Sequence, residues 1–205
     1  MTRERRASTQ PIAVEAADEK RTIVGYAAVF NSPTLIGSEE YGWIEVVSTG
    51  AFDATLRSDI DVLALYSHEL ERLLGRQSSG TLRLSIDEKG LRYEIDLPDT
   101  TDGRDVGVLV ERGDLRGSSF GFNVTKQEWD ETVNPPKRTI MAVDLYEVTV
   151  TASPAYDDTE VGMRSLTEAR EARKAAEISK RAEKRVSIGR RLQMKAGLDM
   201  RERRI

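Results

Sequence analysis

The sequence predicts a mainly β (α+β) fold, a closed or nearly closed β-barrel with peripheral helices, followed by a C-terminal helical tail. Three observations lead there. Short runs rich in β-branched and aromatic residues recur at close spacing through the body of the chain. Only two short stretches between them carry helical signals. From about Arg164 the composition changes to Ala, Glu, Lys and Arg, without proline.

Residues 1–20 are polar and lack hydrophobic periodicity, which predicts a frayed, flexible arm. Thr22 to Phe30 reads as a buried strand closed by Asn31-Ser32-Pro33. Trp43 to Val47 is a second strand, after which Ser48 or Thr49 can cap a short helix over Ala51 to Arg57. Asp61 to Tyr66 has apolar residues on both faces, as a sheet covered on both sides requires. Thr81 to Ile86 and Leu91 to Leu97 each alternate, and Asp87-Glu88-Lys89-Gly90 joins them into a hairpin. Asp102 can cap a helix from about Arg104 to Arg112, with Val106, Leu109 and Val110 as its apolar stripe and Gly113 as its stop. Ser119 to Trp129 is a long strand, Asn134-Pro135-Pro136 a loop, and Arg138 to Thr151 the return strand, ended by Pro154. The tail reads as helix to about Ile188, where Gly189 offers a stop, with Glu177 and Arg181 at a favourable spacing. Its apolar content is mostly alanine, too little for a core of its own. The expected organisation is an arm (1–20), a β-barrel domain (21–164) and a basic, mostly helical tail (165–205).

Charge divides the chain in the same place. Residues 164–205 hold 14 Lys and Arg against 6 Asp and Glu, a net of +8, whereas residues 1–163 hold 17 against 29, a net of −12. An acidic body thus carries a basic tail. The acidity of the body, and a tail without interleaved aromatics, argue against a nucleic-acid binder. No run approaches the roughly 20 apolar residues that cross a bilayer, and the basic start is followed by no apolar stretch. The expectation is a soluble intracellular protein with no membrane partner.

The chemistry is bounded by two counts: no cysteine and a single histidine, His68. There is no thiol nucleophile and no thiolate metal site. His68-Glu69-Leu70-Glu71-Arg72 lacks the second histidine of a zinc helix, and neither a phosphate-binding glycine loop nor a dinucleotide fingerprint is present, so no metal or cofactor is expected. A nucleophilic enzyme built from this chain must use His68 to activate a hydroxyl. His68 follows a buried strand, on the face of Val62, Ala64 and Tyr66 if that strand continues. Ser119 lies in Ser119-Phe120-Gly121-Phe122-Asn123-Val124, where Phe120, Phe122 and Val124 face a core and Ser119, Gly121 and Asn123 face the other way. Gly121 leaves space beside the hydroxyl for a substrate backbone. Ser118 points opposite to Ser119 in a regular strand but remains a second candidate hydroxyl. Glu147 sits mid-strand, where an acid is costly to bury unpaired; it can orient a histidine or stand outward on an edge.

Taken in order, these pieces resemble the prohead (capsid maturation) serine proteases of HK97-type tailed phages. Gly25-Tyr26-Ala27-Ala28-Val29-Phe30-Asn31 looks like the opening strand of that family, and Gly50-Ala51-Phe52 like its first helix signature. Leu65-Tyr66-Ser67-His68, with Leu74-Gly75 beyond, looks like its histidine motif, and Gly113 to Phe122 like its serine motif. Leu145 to Val150 and Ser153-Pro154-Ala155-Tyr156 look like its closing segment. Ser118 and Thr149 depart from the pattern, which more often has a larger residue and a serine there.

The resemblance implies a serine endopeptidase with a barrel like that of herpesvirus maturation proteases. It maps His68 to the base, Ser119 to the nucleophile and Glu147 to the third member. It implies that the substrates are scaffold segments, the major capsid protein and the protease itself, within the assembling procapsid in the host cytoplasm, and the herpesvirus kinship suggests a homodimer. The basic tail then reads as a targeting or scaffold-like segment removed by self-cleavage. The alternative is a non-catalytic capsid-assembly factor.

Overall fold

The computed structural model describes residues 3–17, 20–38, 41–152, 167 and 170–184. By its own contacts the chain divides into two units, residues 1–161 and 162–205. In the first unit the described residues are mainly β, in two sheets. Neither closes on itself among the described residues, so the expected β-rich fold is present without a closed barrel.

The longest elements are β10 (Gly117–Asp130) and β11 (Lys137–Thr151), paired antiparallel along almost their whole length. Outside β10 lies β1 (Glu4–Ser8). On the other side, β11 takes two parallel neighbours end to end. β5 (Trp43–Val47), itself paired with β4 (Thr34–Ile36), lies against Lys137 to Ile140, and β6 (Leu63–Tyr66), paired with β7 (Glu69–Arg76), lies against Glu147 to Val150. The second sheet runs β2 (Ala13–Ala17), β3 (Lys20–Val29), β9 (Gly90–Asp96) and β8 (Leu82–Ile86), all antiparallel. The hairpin and the strands around Ile23, Trp43, Leu63, Phe120 and Ile140 therefore stand where the sequence pattern put them. Four strands do not. β1 and β2 fall in the expected frayed arm, and β4 and β7 carry too few apolar residues in alternation to announce themselves.

The two helices are α1 (Asp53–Arg57) and α2 (Thr101–Glu111). The α1 N-cap is Phe52, without a side-chain cap, rather than Ser48 or Thr49. Tertiary bonds replace the cap: the Thr55 hydroxyl donates to the Val143 carbonyl (2.7 Å) and accepts from the Leu145 amide (3.0 Å), fastening α1 to β11. α2 is capped by Thr100, whose side chain accepts from the Gly103 amide, two residues earlier than Asp102 would place it. Asp102 instead holds Arg72 of β7 at 2.7 Å, and the guanidinium of Arg72 covers the Tyr66 ring.

The core lies between the sheets. Phe52 meets Phe30 and Phe120, and Phe120 stacks on Phe122 at 4.8 Å. Ile23, Leu91, Ile95, Val106, Val143, Leu145 and Val148 complete it, each fully buried. Phe120, Phe122 and Val124 supply one face of β10, so β10 and β11 form a rigid floor whose other face is available for chemistry. In the second unit, residues 170–184 are helical and exposed throughout. Pro154 and Gly189, read from sequence as a strand end and a helix stop, lie outside the described residues.

Candidate active site

Cross-strand pairing puts Ser119 opposite Thr149 and Gly121 opposite Glu147, so these residues share the face of the floor that points away from the phenylalanines. Glu147 reaches that face because of a bulge. Gly121 pairs with Glu147 but Phe122 pairs with Leu145, which leaves Tyr146 as an extra residue. In an unbroken strand Leu145 and Glu147, two apart, would point the same way. The bulge keeps Leu145 in the core with Phe122 and turns Glu147 to the opposite side.

His68 arrives from β6. That strand ends at Tyr66, and Ser67 and His68 form the two-residue turn into β7, with φ of 53° and 62°. Two left-handed residues make a type I′ turn, the hairpin turn that matches strand twist. Neither residue is glycine, so the turn costs on the order of 1 kcal/mol per residue. His68 is thus a turn residue, and the continued strand face shared with Val62, Ala64 and Tyr66 is not what positions it. The parallel pairing of β6 with β11 sets Leu65 beside Thr149 and Tyr66 beside Val150, and the Ser67 amide donates to the Val150 carbonyl (3.0 Å). From there His68 Nδ1 lies 2.8 Å from Glu147 Oε1.

Glu147 is almost fully buried on the central strand, not outward on an edge. Burial pushes its carboxyl up, but the hydrogen bond and charge of His68, the Thr149 hydroxyl (3.0 Å to Oε2) and Arg5 (3.8 Å) outweigh this and hold it below the usual carboxylate range. An ionised Glu147 selects the tautomer with hydrogen on Nδ1 and leaves Nε2 as the basic nitrogen.

Gly121 has a different role from the one its spacing suggested. A Cβ built there would sit 2.7 Å from Glu147 Oε1 and 2.8 Å from its Cγ, so the space beside the serine is filled by the acid rather than kept for substrate.

Ser119 is fully buried, and its hydroxyl donates to the Arg6 carbonyl (2.9 Å); among the described residues no hydrogen bond joins it to His68. Ser118 points to the other face, where its hydroxyl shares a 2.7 Å bond with the Tyr93 phenol, itself pushed up by burial. A cleft lined by Arg3, Leu63, Leu65, His68, Tyr146 and Glu147 opens beside the site. Among the described residues no group of three His, Asp or Glu could hold a metal ion. Sequence reasoning missed the part played by β1, because Arg5 and Arg6 lie in a stretch without an apolar pattern.

A family model described as caudovirus prohead serine protease matches residues 9–177 of the chain. The chain belongs to that family. No curated protein and no solved structure matches it. Membership in the prohead serine proteases implies a serine peptidase of capsid maturation, acting on capsid-related protein inside the phage procapsid. No helix among the described residues is long and apolar enough to cross a membrane.

Proposed function

We propose that the chain is an endopeptidase in which Ser119 is the nucleophile, His68 the general base and Glu147 the group that orients and charges the base. The observation that carries this reading is the 2.8 Å contact between His68 Nδ1 and Glu147 Oε1, on the face of the floor where Ser119 lies one cross-strand pair away. His68 Nε2 takes the proton as Ser119 Oγ attacks the scissile carbonyl carbon. The tetrahedral intermediate collapses, the peptide C–N bond breaks, and the proton passes from His68 to the departing amine. Water, deprotonated in turn by His68, then releases the acyl group and restores the serine. Glu147 remains ionised throughout and stabilises the imidazolium. A hydrogen bond between base and nucleophile commonly tightens only as substrate draws the groups together.

The substrates in this reading are scaffold segments, the capsid protein and the chain itself, with the basic residues 165–205 as a segment released by self-cleavage. The experiment follows self-processing of wild type, Ser119→Ala and Ser118→Ala by intact-mass measurement over time. Processing is expected in wild type and Ser118→Ala and lost in Ser119→Ala. Retention in Ser119→Ala overturns the assignment, and loss in Ser118→Ala alone moves the nucleophile by one residue. Complete burial of Ser119 favours a second reading, a non-catalytic assembly factor. Labelling of Ser119 by a fluorophosphonate probe excludes that reading; no label in any state, with or without capsid protein, selects it.

A further inference from the structure

The outer edge of β10 is the place where an extended peptide can add to the sheet beside Ser119, and β1 already lies there. Its register sets Ala7 opposite Ser119 and Arg5 opposite Gly121. The Ser119 hydroxyl is bonded to the carbonyl oxygen of the Arg6–Ala7 peptide. While β1 stays, no other peptide carbonyl can reach the fully buried Ser119.

The alternate side chains of β1 go the other way, into a charged pocket. Arg6 Nε and Nη2 donate to Glu45 Oε1 (2.5 Å) and Oε2 (3.0 Å), a bidentate fork. Glu4 accepts from Arg138 at 2.7 and 2.8 Å and from Arg6 at 2.7 Å. Arg138 also donates to Glu45 (3.0 Å) and to Gln127 (2.6 Å), and Trp43 Nε1 donates to Glu45 (3.3 Å). The four ionised side chains are nearly inaccessible to water. Two belong to the strand and two to the wall. Without β1, Glu45 and Arg138 retain each other, Trp43 and Gln127, so the pocket keeps its charges and loses only the occupant's partners. A wall of one carboxylate and one guanidinium accepts a peptide with an acidic residue and an arginine two positions apart, and rejects the reverse order. Lysine cannot reproduce the fork.

The family match begins at residue 9, immediately beyond β1, whereas β10, Glu45 and Arg138 all lie within it. Open clefts continue at both ends of the occupied stretch, one by His68 and Tyr146, the other by Gln10, Ser32 and Thr34.

We propose that β1 is a substrate-like strand that closes the catalytic groove, and that Glu45 and Arg138 make this groove select extended segments of the form acidic–any–arginine, with the arginine carbonyl presented to the serine. The inference rests on Ser119 as nucleophile only for its cleavage consequence; peptide selection can be tested apart from it.

The test uses the full-length chain with Glu4→Ala and Arg6→Ala together, which empties the pocket, and a fluorescent peptide of residues 3–10 beside a version with its Glu4 and Arg6 residues exchanged. The matched peptide is expected to bind the double variant at least about tenfold tighter than the exchanged one, by anisotropy. Fluorophosphonate labelling of Ser119 is expected to be at least about tenfold faster than in wild type. Equal binding of the two peptides overturns the proposal, as does unchanged labelling where Ser119 reacts. Selective binding with no labelling in any chain retains the groove and overturns Ser119 as nucleophile. If the double variant fails to fold, Ser8→Pro, which removes a ladder donor opposite Ser118 but keeps all four charges, replaces it. In wild type the matched peptide must also slow labelling more than the exchanged one, and equal slowing overturns the proposal.

Discussion

Replacing Gly121 by alanine tests the site geometry with one methyl group. The added Cβ would lie 2.7 Å from Glu147 Oε1, 2.8 Å from Cγ and 3.2 Å from the carboxyl carbon, where ordinary contact begins at 3.4 Å. Rotating the carboxylate alone does not help, because Cγ is also too close. The Cγ contact requires a displacement of roughly 0.6 Å and the oxygen contact somewhat more, in a wall packed too tightly to absorb it freely. That shift has to be taken from the 2.8 Å bond to His68 and the 3.0 Å bond from Thr149. A misplacement of about 1 Å in a catalytic group costs on the order of 10²-fold in rate, or about 2.7 kcal/mol of barrier. Gly121→Ala is therefore expected to self-process about 100-fold more slowly, measured by intact mass over time, while folding to the same circular dichroism spectrum. Gly50→Ala is the control: nothing lies within 4 Å of a Cβ there. Full-rate processing by Gly121→Ala would refute the argument that Glu147 acts through its fixed contact with His68.

Other outcomes follow from the same contacts. Glu147→Gln keeps the shape but offers Nδ1 no charge, and its self-processing should fall by on the order of 10³–10⁴-fold with little change in fold; a tenfold effect or less would deny Glu147 its role. Ser118→Ala leaves the buried Tyr93 hydroxyl without its 2.7 Å partner. It should lower stability by about 1–3 kcal/mol in urea denaturation while leaving fluorophosphonate labelling intact. Thr55→Val removes both bonds that tie α1 to β11, with an expected loss of roughly 2 kcal/mol and a matching drop in melting temperature. Glu45 and Glu147 are held below the ordinary value of 4.5, each because its basic partners outweigh burial. Both are then protonated less readily folded than unfolded. Their contribution is complete above that value and is lost as pH falls through the folded-state values. Urea denaturation should show stability level from about pH 7 to about pH 5 and falling below it; a flat profile to about pH 3 would contradict the direction of both shifts.

How much of this was legible in the sequence depended on where the information sits. Phe120, Phe122 and Val124 alternate because one face of β10 is core, so that strand and the side on which Ser119 stands could be read directly. The hairpin around Asp87 to Gly90 announced itself by turn residues between alternating runs. Glu147 is a different case. Its identity as a mid-strand acid was visible, but the side it faces is set by a single unpaired residue, Tyr146, and a bulge has no periodicity to betray it. The turn at Ser67 and His68 was hidden for a related reason. Hairpins of this type are expected at Asn-Gly or Asp-Gly, and here two non-glycine residues take left-handed conformations where the histidine has to reach an acid.

β1 shows the limit most clearly. Pattern reading assumes that what is buried is apolar, and Arg3-Glu4-Arg5-Arg6 therefore reads as solvated arm. Glu4 and Arg6 are buried because Arg138 and Glu45 face them, residues separated by up to 134 positions in the chain. A charged side chain carries no mark of its partner, and burial of a charge is tolerable only once that partner is in place. Charged strands of this kind are accordingly found where the fold has built the complementary wall in advance. Such a wall is also a recognition surface: whatever holds Glu4 and Arg6 discriminates among other strands by the same charges. The part of the chain least readable from sequence is thus the part that bears most directly on which peptide reaches Ser119.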